Sequence, residues 1–412
     1  MQIRRCAVAW LEPREVASFQ LDNLMAGGTG VVARACWFVH APHLPAAVEL
    51  DAALVPLLGM VGAADWVERD ELDTRFNARA INDLLEAGLL LAREGAGETA
   101  AVDDDFRAQG WHAPAALAHM ASRWQGIDGP KGMAEQELDT NEGLLRHHGP
   151  PPVHALPSVD PTADIGLPRI ERGDFDALLD TRATCRNYNV EAELPLATFA
   201  QLMARVFGAR GIGHPAPGFD VFKRTSPSGG ALHPTECWLV VQRVQGIAAG
   251  LYRYRIDTHA LEPVTPRIEA PQPGDAGTHA LGDAAARAWT VEEVRAFSRI
   301  AVAGQEFFAD APVLCFLAPR FHRNFWKYRN HAKAYRVTVL DVGHLSQTLQ
   351  LCATEAGLGP FVTSAINEID IERAFGMVGY VQSPIVACGF GQRANTLDRS
   401  EFDPNRKVWP RP

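Results

Sequence analysis

Three short stretches of this 412-residue chain bring together residue types whose spacing could do chemistry. The first is Arg182-Ala183-Thr184-Cys185-Arg186, with two guanidiniums and a hydroxyl inside five residues. Arginine offers planar bidentate donors and threonine a short third contact, so the trio can grip one phosphate. A solvated basic turn is the other reading of the same residues. The second stretch runs from Arg224 through Pro227-Ser228-Gly229-Gly230 to His233-Pro234 and leads at once into the strand-like run 236–241. Ser228 brings a hydroxyl, while Gly229 and Gly230 let the main chain approach a flat ring without a clashing Cβ. Such a turn can lay amides along the edge of a heterocycle, although the same composition also makes an ordinary turn. The third, 383–393, reads as a buried strand ending in Gly389-Phe390-Gly391, followed by Arg393, which can close over the same phosphate. Lys327-Tyr328, in a loop with Arg320, Arg323, Arg329 and Lys333, reads by itself as a surface pair.

In combination the segments resemble a known family. The order Arg-x-Thr-x-Arg, Arg-x-x-Pro-Ser-Gly-Gly, Gly-Leu-Tyr-Arg-Tyr at 250–254, Lys327-Tyr328, Gly343-His344-x-x-Gln347 and a final Gly-Phe-Gly is similar to that of the SagB-type dehydrogenases. These are FMN-dependent enzymes of the nitroreductase fold that oxidise azolines in ribosomally made peptides. The resemblance covers roughly residues 165–395, and its specificity lies in the set rather than in any one motif. It implies an α+β domain of nitroreductase-like sheet and helices, with Arg182, Thr184 and Arg186 on the FMN phosphate and Arg393 as a fourth contact. It further implies Pro227, Ser228, Gly229 and Gly230 along the isoalloxazine, the backbone of 357–359 including Gly359 facing its N5 side, and a homodimer with the flavin at its interface. The residues agree with FMN better than with a dinucleotide, since no GxGxxG follows a strand and no Walker sequence occurs.

The resemblance also gives Lys327 and Tyr328 a role. Turning a thiazoline or oxazoline into an azole removes a proton from Cα and a hydride from Cβ, so a base is needed near the flavin, whose reduced form dioxygen would return. A lysine beside a tyrosine can supply that base when charge or burial favours proton release. Many relatives carry asparagine where this chain has Thr348 after Gln347, which departs from the pattern. Two rivals stand beside azoline oxidation. One is NAD(P)H-dependent reduction of dehydroalanine in a peptide, or of a nitro or quinone compound. The other is a flavin-bound regulator that binds DNA.

The elements expected to position these residues fall into two units, 1–155 and 160–412, joined by the proline-dense stretch 147–157, which cannot continue a helix. In the first, 30–40 alternates as a strand, 50–60 has helical periodicity, and 66–91 reads as helix, turn, helix stopped at Gly88, then strand: a winged-helix-like pattern. Residues 65–94 hold eight acids against four arginines, which repels nucleic-acid phosphate and favours a peptide-binding role by β-augmentation. In the second unit, Phe199, Leu202, Met203, Val206 and Phe207 make a core-facing helical stripe. Strands are expected at 238–241, 250–256, 313–317 and 384–388, a long helix ends at Gly357, and 265–290 reads as a loop or lid.

Composition narrows the classes further. A net charge of −10 with 47% hydrophobic residues is that of a globular protein without general affinity for nucleic acid. Seven scattered cysteines without CxxC spacing and fourteen histidines without HExxH suggest neither disulfides nor a metal site. No apolar run reaches the ~20 residues of a membrane span, and the apolar run after Arg4-Arg5 is too short for a signal peptide, so a cytoplasmic protein is expected. The expected partners are a ribosomal precursor peptide, with a cyclodehydratase as candidate co-enzyme, and a second copy of the chain.

Overall fold

The computed structural model describes residues 1–93, 98–169, 171–272 and 282–409. Two compact units emerge: 1–122 together with 325–335, and 123–324 together with 336–412.

The first unit holds β1 (Gln2–Arg5), β2 (Trp10–Phe19), β3 (Val31–His40), β4 (Val48–Leu50), β5 (Val67–Glu68) and β6 (Leu90–Ala92), in two sheets of order β2-β3-β4 and β5-β1-β6. β3 lies where alternation predicts it. Its partner β2, paired residue for residue from Trp10↔His40 to Phe19↔Val31, has no clear alternation and escapes sequence reading. Pro13 is tolerated in β2 because an edge strand has amides that need no ladder partner. The expected helix, turn and helix form at Arg69–Asp73 and Ala78–Glu86, the second capped by Asn77, whose side chain accepts from Ala80 N at 2.7 Å. Ile81 and Leu84 are buried, Gly88 ends the helix at φ +70°, and β6 follows. Asp65, Glu68, Asp70, Glu71, Asp73, Asp83 and Glu86 are all exposed, so the acidic excess is surface charge; Glu94 lies outside the described residues. The segment 325–335 belongs here: Phe325 meets Trp111 edge-on at 4.7 Å, and Asn330 N donates to Gly110 O.

The second unit is built on an antiparallel six-stranded sheet of order β11-β10-β9-β12-β14-β13. Its strands are β9 (Thr235–Val241), β10 (Gly250–Arg255), β11 (Ala260–Val264), β12 (Val313–Pro319), β13 (Gly359–Thr363) and β14 (Val386–Gly391), preceded by the hairpin of β7 (Gly211–Ala216) and β8 (Phe219–Lys223). Period-two alternation sends Cys237, Leu239, Val313, Cys315 and Leu317 to one face, against helices Leu196–Val206 and Ala334–Glu355. Trp238, Val240, Leu314 and Phe316 go to the other, against helices Val291–Ala301 and Glu368–Phe375. Both faces are therefore covered, which is why these strands read as unbroken apolar runs. The result is the expected α+β sheet layered with helices.

The division at 122/123 precedes the proline-dense stretch. Residues 123–127 are stitched to the start of helix Glu368–Phe375: Trp124 N donates to Glu368, Gly126 N to Asp370 and Ile127 N to Asn367, at 2.8–2.9 Å, and Arg123 pairs with Glu372. His147 and His148 close the helix Asn141–His148, where a linker is expected from their sequence context. Within the expected loop or lid 265–290, Ile268 bridges Asp283 and Ala284 N donates to Arg267 O, so its described ends are pinned together; residues 273–281 of it lie outside the described residues.

Candidate functional site

Helix Asp174–Thr181 gives way at Arg182 to extended backbone (φ −70°, ψ 107°). Extended chain sends alternate side chains to opposite sides, so Ala183 and Cys185 are buried while Arg182, Thr184 and Arg186 share the half-buried face. The segment is fixed to the sheet by Cys185 N donating to Pro360 O at 2.8 Å and by the bridge Tyr188↔Arg393. Arg182 reaches Gln350 Oε1 at 3.1 Å, and Arg186 donates to Ser400 O at 3.2 Å. Three donors on one fixed face suit a phosphomonoester, and in this respect the residues fit FMN.

Arg393 stands differently. Its guanidinium pairs with Glu401 and donates to Ala183 O at 2.8 Å, bracing the segment from behind. The Glu401 carboxylate also accepts from Arg186 N (2.6 Å), Asn187 N (3.1 Å), Asn187 Nδ2 (2.9 Å) and Trp409 Nε1 (2.8 Å). Burial would raise its pKa, but these donors outweigh that and hold it below the ordinary glutamate range. Gly359 is also occupied by this packing, since a Cβ there would come within 2.6 Å of Cys185 Sγ and 2.9 Å of Arg393 Cγ. Burial pushes the Cys185 thiol up to about 11, which leaves it inert.

The Pro227–Pro234 turn departs from ordinary turn geometry. Gly230 (φ +65°), Ala231 (φ +56°) and His233 (φ +45°) all lie in the left-handed region, two of them at a steric cost that glycine would not incur. Ser228 Oγ donates to Asp341 Oδ2 at 2.5 Å and accepts from His233 N at 3.0 Å, while Gly229 N reaches Asp341 Oδ1 at 3.3 Å. The hydroxyl expected along a ring is thus tied to the long helix, and the turn's exposed offering is its backbone around Pro227 and Gly230. Burial raises the Asp341 pKa, only partly offset by these bonds. His233, half-buried beside Arg224, is pushed down to about 4, first by desolvation and then by that charge.

Thr348, where relatives carry asparagine, meets Ser226 Oγ at 2.8 Å and donates to His344 O at 2.9 Å; His344 and Gln347 are exposed on the same helix. Lys327 and Tyr328 lie in the turns after helix Phe321–Phe325, within the first unit, with Lys327 exposed and its Nζ 5.5 Å from the centre of the Tyr328 ring. Sequence reasoning missed Asp341 and Glu401. Asp341 had a signal, an acid on the same helical stripe as the core residues Leu345 and Leu349; Glu401, beyond the family-like region, had none. Among the described residues no group of three or more potential metal ligands occurs, and no helix is long and apolar enough to cross a membrane.

The chain is similar to several known proteins. A protein of Methanocaldococcus jannaschii bearing the name nitroreductase is 28% identical over 210 residues, 51% of this chain and 88% of that protein. The trifolitoxin-processing protein TfxB of Rhizobium leguminosarum bv. trifolii is 28% identical over 166 residues, 40% of this chain but only 38% of the relative. Among solved structures, the E. coli microcin synthetase McbBCD complex with truncated pro-microcin B17 bound aligns with 71% of this chain and 92% of its own matched chain, at 18% identity and a TM-score of 0.42. The profile of the nitroreductase family matches residues 179–392, more than half of the sequence, and the chain belongs to that family.

Proposed function

We propose that this protein is an FMN-dependent dehydrogenase in the maturation of a ribosomally made peptide, oxidising a thiazoline or oxazoline ring to the azole. The observation that carries the flavin reading is the shared face of Arg182, Thr184 and Arg186, fixed to the sheet through Cys185. The peptide reading is supported by the motif set resembling SagB-type dehydrogenases and by a relative named for processing trifolitoxin.

When bound, FMN supplies a hydride acceptor. The chain's own residues have the remaining tasks. Arg182, Thr184 and Arg186 would hold the phosphate by charge-assisted bonds, and Arg393 with Glu401 keeps that segment in place. Asp341 holds the Ser228 turn in its strained form, so that backbone at Pro227–Gly230, rather than mobile side chains, would be offered to the ring. Lys327 and Tyr328 are the pair to which removal of the Cα proton is assigned. A homodimer belongs to the same reading, as does a cyclodehydratase that forms the ring beforehand.

Direction of electron flow is the deciding test. The purified yellow protein, photoreduced without oxygen and then mixed with air, should reoxidise rapidly, and the oxidised form should bleach slowly if at all with NADPH. Rapid bleaching by NADPH with slow reoxidation would instead make it a reductase of dehydroalanine peptides or of nitro and quinone compounds.

A further inference from the structure

A cavity of about 230 Å³ in the second unit lies beside the Arg224–Thr235 turn, where β8 hands over to β9 and where β10 ends. Four guanidiniums line it, from Arg224, Arg253, Arg255 and Arg320, against two carboxylates, Glu236 and Asp257. The carboxylates are already in use. Asp257 takes Arg255 at 2.7 Å, and Glu236 Oε1 is shared by Arg253 at 3.1 Å and Arg320 at 2.9 Å. Arg224 has neither: it is 6% exposed, its Nη1 donates to Thr235 O at a long 3.3 Å, and its Nε has no partner. The Thr235 hydroxyl and Arg253 Nε, also buried, are unpartnered as well.

A buried guanidinium with no carboxylate in ion-pair contact is costly even where Glu236 acts on it from farther off, and a buried polar group left unpaired adds to that cost. Desolvation accordingly pulls the Arg224 pKa down to about 10. Charge and donors of this kind are stabilised by an anion with several acceptor oxygens. None of the lining residues belongs to the 182–186 segment or to the 227–230 turn.

We propose that this pocket is an oxyanion site, separate from the flavin phosphate grip, that takes a carboxylate or phosphate group carried by a small molecule or by the substrate, with Arg224 at its base and Arg320 at its mouth. Glu262 stands 3.6 Å from Arg253 and 3.9 Å from Arg255, so the four arginines keep one positive charge in excess over three carboxylates; that suits a monoanionic group, and the volume admits the carbon attached to it.

The probes are inorganic phosphate and acetate, added to the FMN-loaded full-length protein at constant ionic strength against chloride. Phosphate, acetate or both should raise the Tm saturably, and whichever acts tells a phosphoryl from a carboxyl source. Arg224→Met should keep or raise the anion-free Tm, because it removes a buried charge that has no carboxylate in direct contact, yet abolish the response. Arg320→Gln should weaken it at least about fivefold, as expected on losing one charge-assisted contact. Arg186→Ala should leave it intact. No response beyond chloride in the wild type, or one that survives Arg224→Met, would overturn the proposal. A response seen only without FMN would also overturn it, by making the cavity the flavin's own phosphate seat and removing that role from Arg182, Thr184 and Arg186.

Discussion

Arg182, Thr184 and Arg186 act as one surface only because the backbone between them is extended, so the three are not interchangeable with three donors elsewhere on the chain. Arg186→Ala should lower FMN affinity by on the order of 2 kcal/mol, some thirtyfold, since a charge-assisted contact to a dianion is lost. Fluorescence titration of the apoprotein measures this directly. Unchanged affinity would remove the residue from the phosphate site, whatever happens to its bond with Ser400. His233 makes a different prediction, because its pKa of about 4 in the fold lies below the ~6.5 of an unfolded histidine. The stability it contributes is complete above about pH 6.5 and is lost as the pH falls toward 4, where the unfolded chain has taken a proton that the fold still refuses. His233→Gln removes that proton and should flatten the fall of Tm across this window. A decline as steep as that of the wild type would place the acid sensitivity elsewhere.

At the scale of elements, the strained turn and the long helix form one device. Three left-handed residues within 230–233 persist because Asp341 fixes the first half of the turn, through Ser228 and Gly229, to helix Ala334–Glu355. Asp341→Ala leaves a hydroxyl and an amide without their acceptor and should cost about 1–3 kcal/mol of stability. It should also loosen FMN while leaving the phosphate residues in place, so riboflavin affinity should fall by the same factor as FMN affinity. A loss confined to FMN would contradict this, since it would act through the phosphate. This device also shows what the sequence could reveal. The strands 235–241 and 313–319 and helix Leu196–Val206 were legible because burial on both faces, or on one stripe, imposes a period that any apolar count detects. The Pro-Ser-Gly-Gly turn was legible as a turn, but not the direction in which Ser228 points, because that depends on an acid 113 positions away. The pairing of Arg393 with Glu401 is illegible for the same reason: Glu401 lies in a tail with no periodic signal, and only the fold brings the two together. Edge strand β2 was missed because an exposed strand has no buried face to write an alternation.

At the scale of the whole molecule, the contiguous halves suggested by proline density are not how the packing divides the chain, because 123–127 is sewn to helix Glu368–Phe375 and 325–335 joins the N-terminal unit. This bears on how the N-terminal unit's proposed role, holding part of the peptide away from the flavin, should be tested. Deleting residues 1–122 would strip Lys327 and Tyr328 of the Trp111 and Gly110 contacts that fix their segment, and a lost activity would have two causes. A single substitution on an open strand edge avoids this. In the β1–β6 ladder, Arg93 N donates to Gln2 O and Cys6 N to Leu89 O, which makes Ile3↔Ala92 a non-hydrogen-bonded pair and turns the Ala92 N–H away from β1, toward the outer edge of β6. Proline at 92 removes that donor and leaves the ladder to β1 intact. If a peptide segment adds to this edge as a further strand, Ala92→Pro should raise KM for the full-length peptide at least about tenfold, because the tethered segment no longer raises the effective concentration of the rest. The turnover of a small ring substrate lacking that segment should be unchanged. Equal KM values for the full-length peptide, with the variant's Tm close to the parent's, would show that the edge of β6 takes no peptide and would leave this unit as support for the 325–335 segment.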